Sequence, residues 1–142
     1  MHRLPRSLFA FAAVSTCLSA CQTSTEPSNA LRMQLASTVF QHPAIVPFTI
    51  TNMSAQRQYL SRCGSRIMTA VDQYTAGQWS QYSGDACQAI NDMSPLALEP
   101  GASVTSARAV GDAGRFRLRA GATSDLQQGY TWNVGLAVFE AR

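Results

Sequence analysis

The fold this sequence predicts is all-β: an antiparallel sandwich of seven or eight short strands. Three observations predict it. Apolar residues recur with a period of two in short pieces; turn-forming residues fall between those pieces; and residues 31–142 form one stretch of 112 residues with no break in composition. That length suits one small sandwich, and apolar-in, polar-out alternation is the mark of antiparallel strands with one wet face.

Taken in order, Leu31, Met33 and Leu35 alternate with Arg32 and Gln34, and Val46, Phe48 and Ile50 alternate with Pro47, Thr49 and Thr51. Ile67, Thr69 and Val71 share one side of a run that ends at Tyr74. Phe116 and Leu118 sit between Arg115, Arg117 and Arg119. Trp132, Val134, Leu136 and Val138 form the longest stripe, which is expected to face the core. Turn residues separate the runs at Asn52-Met53-Ser54, Ala76-Gly77, Ser83-Gly84-Asp85, Glu99-Pro100-Gly101 and Gly111-Asp112-Ala113-Gly114. Only Ala86 to Met93 has some helical freedom, enough for one turn. No internal repeat or low-complexity tract interrupts the domain.

The first twenty residues are built differently. Arg3 and Arg6 precede an apolar core, Leu8 to Ala13, and small residues follow up to Leu18-Ser19-Ala20-Cys21. A spanning helix needs about 20 mostly apolar residues, and this run meets Ser and Thr too soon. The layout is that of an export signal. The last four residues resemble a lipobox, the recognition site of bacterial lipoprotein signal peptides. The resemblance implies removal of residues 1–20, acylation of Cys21 and attachment to a lipid bilayer through that residue. Two or more acyl chains anchor stably, each buried methylene contributing about 0.8 kcal/mol. Gln22, rather than Asp, follows the cysteine. In the Gram-negative sorting scheme this resembles, that implies the periplasmic face of the outer membrane. Residues 21–30 then read as the lipidated cysteine and a polar tether with a reach of roughly 15–20 Å.

Cleavage would also change the charge. The chain has 11 basic residues, all Arg, and 8 acidic ones. Loss of Arg3 and Arg6 leaves nine against eight, so bulk charge gives no reason to expect a nucleic-acid partner. Of four cysteines, Cys17 would leave with the signal and Cys21 take the lipid, so Cys63 and Cys87 remain. In an oxidising periplasm that pair is expected to close. Free thiols for redox or metal chemistry are the other reading, and neither C-x-x-C nor a nearby His supports it.

Phe48-Thr49-Ile50-Thr51-Asn52, Gly77-Gln78-Trp79, Leu98-Glu99-Pro100-Gly101 and Gly114-Arg115-Phe116-Arg117-Leu118 follow an order found in immunoglobulin-like sandwiches of bacterial exported proteins. The bacterial intracellular proteinase inhibitor family has a similar order. The resemblance covers residues 45–120 and implies an immunoglobulin-like fold for residues 31–142. The signal-like segment and the Cys63–Cys87 pair depart from that inhibitor family, so no functional residue is carried over.

Chemistry-bearing patterns are sparse. After cleavage one histidine remains, His42, in a loop before Pro43, with no G-x-S-x-G to serve. No catalytic residue, metal site or cofactor is assigned; the acids are scattered singly. Asp72 lies on an otherwise apolar run. It is either a buried acid or one that faces solvent or pairs with an Arg across the strand. Arg115, Arg117 and Arg119 share one face of an extended strand at intervals of about 6.6–6.8 Å. Arg forks suit carboxylates and phosphates, so the stripe is a candidate binding surface; a solvated face paired with nearby acids is the alternative. With those side chains in water, replacing all three by Gln should hardly change stability. Trp79 and Tyr82 make a second candidate patch, or else a packed hairpin tip. These residues lead us to expect a non-catalytic binding or accessory module of the cell envelope, not an enzyme. Its expected partner is an envelope protein or anionic polymer; an inhibitor or chaperone-like protein of the periplasm is the alternative.

Overall fold

The computed structural model describes residues 30–88 and 92–142. The signal-like segment, Cys21 and the tether up to residue 29 lie outside the described residues. Twelve strands follow one another: β1 (Leu31–Leu35), β2 (Val39–Phe40), β3 (Ala44–Asn52), β4 (Gln58–Leu60), β5 (Arg62–Cys63), β6 (Arg66–Ile67), β7 (Thr69–Thr75), β8 (Gln78–Gly84), β9 (Leu96–Leu98), β10 (Ser103–Val110), β11 (Gly114–Thr123) and β12 (Thr131–Ala141). The protein is all-β, and the described residues contain no helix. Of the stretch Ala86 to Met93, residues 86–88 and 92–93 are irregular, and 89–91 lie outside the description.

β3 is the middle of a small sheet, flanked by β1 and β10, and both pairs are antiparallel. β11 is the spine of a larger, seven-stranded sheet. One of its edges pairs with β12; the other pairs with β7 and then with β4. β8 extends the sheet beyond β7, β9 beyond β4, and β2 joins β12 as the single parallel pair among the described residues. β5 and β6 form a separate hairpin.

The two sheets share one core. Leu31, Met33, Val46, Phe48, Ile50 and Val110 come from the small sheet, and Leu60, Val71, Leu98, Phe116, Leu118 and Phe139 from the large one. Each such side chain contributes roughly 1.5–3 kcal/mol on burial. Phe116 stacks on Phe139 at 5.6 Å, and Phe40 meets Phe139 edge-on at 5.8 Å. On β1 and β3 the expected alternation holds: Ile45 stands out at 64% exposure between buried Ala44 and Val46.

On β12 the alternation differs from the expectation. Leu136 and Val138 are exposed, while Phe139 and Ala141 are buried. The cause is a pair of bulges. The steps from Leu118 to Ala120 and from Ala120 to Ala122 are each matched by three residues of β12 instead of two. Each bulge inserts one residue and reverses which side chains face inward. Gly135, at φ 64°, supplies the left-handed residue that one of these bulges needs. β7 departs as well: besides Thr69 and Val71, its Ala70 and Asp72 are buried.

Two turns fix how the strands meet. Ala76 and Gly77 both have positive φ, 51° and 81°, as a two-residue type I′ hairpin requires. Pro100 and Gly101, the latter at φ 76°, form a turn closed by the Ala102 N–H donating to the Glu99 carbonyl at 3.0 Å. Cys63 and Cys87 form a disulfide with Cα atoms 5.6 Å apart, joining the β5–β6 hairpin to the chain beyond β8. Closing that loop contributes about 3–4 kcal/mol by chain entropy.

Candidate functional site

The outward residues of β11 are Arg115, Arg117 and Arg119, because Phe116 and Leu118 take the inward positions and are fully buried. Register places Asp72 of β7 opposite Arg117, and the type I′ hairpin places Trp79 opposite Tyr74. One outer face therefore gathers three arginines, an acid and two aromatic rings.

The three arginines are not equivalent. Arg117 donates through Nε at 2.9 Å and Nη2 at 2.6 Å to Asp72 Oδ2, and Arg119 Nη2 donates to Oδ1 at 2.8 Å. The Asp72 side chain is only 4% exposed. A carboxylate so far from water is tolerable because both oxygens are held by guanidinium groups. Arg115 is the exposed one. Its guanidinium lies 5.3 Å from the Tyr74 ring and 5.9 Å from the Trp79 ring, while Arg117 lies 4.8 Å over Trp79. Tyr74 and Trp79 are themselves 5.1 Å apart. Cation–π attraction of about 0.5–1 kcal/mol per exposed pair holds this stack in shape. Val138, exposed on β12 beside Arg117, extends the face with an apolar patch.

Trp79 and Tyr82 do not form one patch. The step from Val71 to Asp72 is matched by two residues on β8, from Ser83 to Gln81. That bulge leaves Tyr82 as the extra residue; its ring packs 5.2 Å from Phe116, and its hydroxyl donates to Asp112 Oδ2 at 2.8 Å. This bond, together with partial burial, raises the Tyr82 pKa above the ordinary phenol value.

A second acid, Asp85, sits just past β8. Its Oδ2 accepts from the Thr69 N–H at 2.7 Å and the Thr69 hydroxyl at 3.1 Å. Its Oδ1 pairs with Arg108 of β10, whose Nη2 also donates to Ser83 Oγ at 3.1 Å. The pair joins the two sheets. His42 is exposed in the loop before β3, its N–H donating to the Arg142 carbonyl at 2.9 Å. Among the described residues no three His, Cys, Asp or Glu side chains converge on a metal-sized space. Nor is any described helix long and apolar enough to cross a membrane.

Sequence reasoning missed Tyr74 and Trp132 as members of the outer face. Tyr74 was within reach: a two-residue turn at Ala76-Gly77 forces it opposite Trp79. Trp132 was not, because its direction depends on the bulges.

No protein-family model and no curated protein matches the chain. Among solved structures, 80% of the chain is similar to Pseudomonas fluorescens alkylpurine DNA glycosylase AlkC bound to DNA containing an abasic site analog, at 15% identity and a TM-score of 0.43. It spans about 30% of the length of that protein. The same share is similar to the structural-genomics target SoR45, at 14% identity and a TM-score of 0.34, covering 83% of that chain. Neither likeness bears on what this chain does.

Proposed function

We propose that the protein is an exported, lipid-anchored binding module of the cell envelope, held by an acylated Cys21 and working by contact without turnover. Its domain is an immunoglobulin-like sandwich, and its contact surface is the outer face of the large sheet. The observation that carries this reading is the Arg115–Tyr74–Trp79 stack. It is an exposed cation fixed against two rings on a rigid hairpin, so it engages a partner with little further ordering. Asp72 engages Arg117 and Arg119 from within the sheet, and Arg115 is the most exposed of the three. The lipobox-like Leu18-Ser19-Ala20-Cys21 and the polar tether support the location.

Site-specific photocrosslinking tests it. The lipidated protein is made in a Gram-negative cell with a photoreactive residue at Tyr74 or Val138 on the outer face, or at Ile45 on the opposite side. The expected result is a discrete adduct from the outer-face positions that Arg115→Gln abolishes. Adducts from Ile45 alone would overturn the surface. Fatty-acid labelling that persists in Cys21→Ser would overturn the anchor.

A further inference from the structure

At the other end of the same outer face, four residues along β11 from Arg115, lies a cleft of about 380 Å³. Its lining includes Arg119, Trp132, Gln81, Asp85 and Thr69. Ala70 and Gly84, which face each other across β7 and β8, leave its middle open because neither has a long side chain. Both strands that flank it are bulged at this level, β8 at Tyr82 and β12 between Thr131 and Val134. Bulges re-aim side chains beside functional sites, and here they set Trp132 as a wall.

The indole is fixed in place. A Cβ on Gly121 would stand 3.2 Å from three atoms of the six-membered ring of Trp132, so that ring lies flat on the Gly121 backbone. The Trp132 carbonyl accepts from Arg119 Nη1 at 3.4 Å, which ties the guanidinium to the same wall. Opposite stand the Gln81 amide and the Asp85 carboxylate, whose side chain is 8% exposed. Arg119 and Asp85 are the charged side chains that line the cleft. Arg66 and Arg108 balance Asp85, and Arg117 shares Asp72 with Arg119, so Arg119 is the cation the cleft presents.

We propose that this cleft is a subsite for one sugar ring bearing an anionic group, a carboxylate or a phosphate. A flat indole suits the C–H face of a pyranose. The Gln81 amide and the carboxylate edge suit its hydroxyls, and the Arg119 guanidinium in the wall meets the anion. The volume falls within the usual range for a small-ligand site. The proposal rests on the outer face being a binding surface and narrows it to a saccharide chemistry.

Fluorescence titration decides it. The chain from residue 21 carries Cys21→Ser, to leave out the lipid, and Trp79→Phe, so that Trp132 alone reports. The probes are glucuronic acid, glucose 6-phosphate, glucose and inorganic phosphate. The expected result is a saturable change with glucuronic acid, glucose 6-phosphate or both, and at least about tenfold weaker binding of glucose and of phosphate alone. Which of the two acids binds better identifies the anionic group. Gln81→Ala, an exposed side chain whose loss should leave the melting temperature alone, should weaken binding about tenfold; Trp132→Phe, read by calorimetry, should do the same. No saturable response to either sugar acid overturns the proposal, as does binding that both variants leave unchanged, or inorganic phosphate binding as tightly as the sugar acids. A polypeptide crosslinked at Tyr74 without any sugar response would reject the saccharide subsite while leaving the contact face standing.

Discussion

The two sheets solve the same packing problem in opposite ways. The small sheet is regular: β1, β3 and β10 pair without a register shift, and its outer face carries neutral hydroxyl pairs, Thr49 with Thr105 at 3.3 Å and Thr51 with Ser103 at 2.8 Å. The large sheet shifts register at three places, and its outer face carries a buried carboxylate, arginines and aromatic rings. A regular ladder spends its side chains on cohesion. An irregular one re-aims side chains: Asp72 sits at the β7–β8 shift and Arg119 at the first β12 bulge, whereas Arg115, Tyr74 and Trp79 lie in regularly paired stretches of the same face.

The largest effect expected from that difference is electrostatic. Arg117→Gln together with Arg119→Gln would leave Asp72 as a carboxylate 4% exposed with neither guanidinium partner. The cost should be about 2–4 kcal/mol in urea unfolding, below the full range for buried pairs because Arg117 is 27% exposed. Adding Asp72→Asn should recover most of it. Arg115→Gln on the same strand, or Thr51→Ala on the small sheet, should stay within about 1 kcal/mol. The expectation that all three arginine side chains face water, so that their loss hardly changes stability, is corrected by the ion pairs: Arg117 and Arg119 hold Asp72, and Arg115 is the exposed one. A double variant as stable as the wild type would show that Asp72 needs no partner.

Next comes the bulge itself. Gly135→Ala forces a side chain into φ 64° and should cost about 1–2 kcal/mol, lowering the melting temperature while Gly84→Ala, in ordinary backbone, changes it less. Equal effects at both positions would mean that the bulge does not depend on glycine.

The smallest effect is at high pH. Tyr82 has its pKa raised by its bond to Asp112, so the stability it contributes is present below the unfolded tyrosine value of about 10 and is lost as pH rises through the higher folded value. Phenolate absorbance should therefore show two late-titrating groups, Tyr82 and also Tyr130, whose pKa burial raises, and Tyr82→Phe should remove one of them. An unchanged titration curve in that variant would refute the assignment.

How much was legible follows the same division. Where pairing is regular, period-two reading placed Val46, Phe48, Ile50, Phe116 and Leu118 inward correctly, and assigning Cys17 to the signal and Cys21 to the lipid left Cys63 and Cys87, which form the disulfide. It failed at Leu136 and Val138, because one inserted residue reverses parity and no local pattern announces an insertion. The arginines of β11 were visible as a stripe. Their division into one exposed cation and two clamped ones was not, since it depends on Asp72, which arrives from 45 residues away from Arg117. Asp85 and Arg108 escaped notice for the same reason: their meeting is set by how the sheets close.

The bulges of β12 also act as breaks in the transmission of change along the strand. Its last residues, Phe139 and Ala141, are buried in the core, whereas Trp132 lies inside the second bulge and is separated from them by the first. The chain can thus revise what one end of β12 presents to its surroundings, by substitution or by small insertions, while the other end keeps the domain folded.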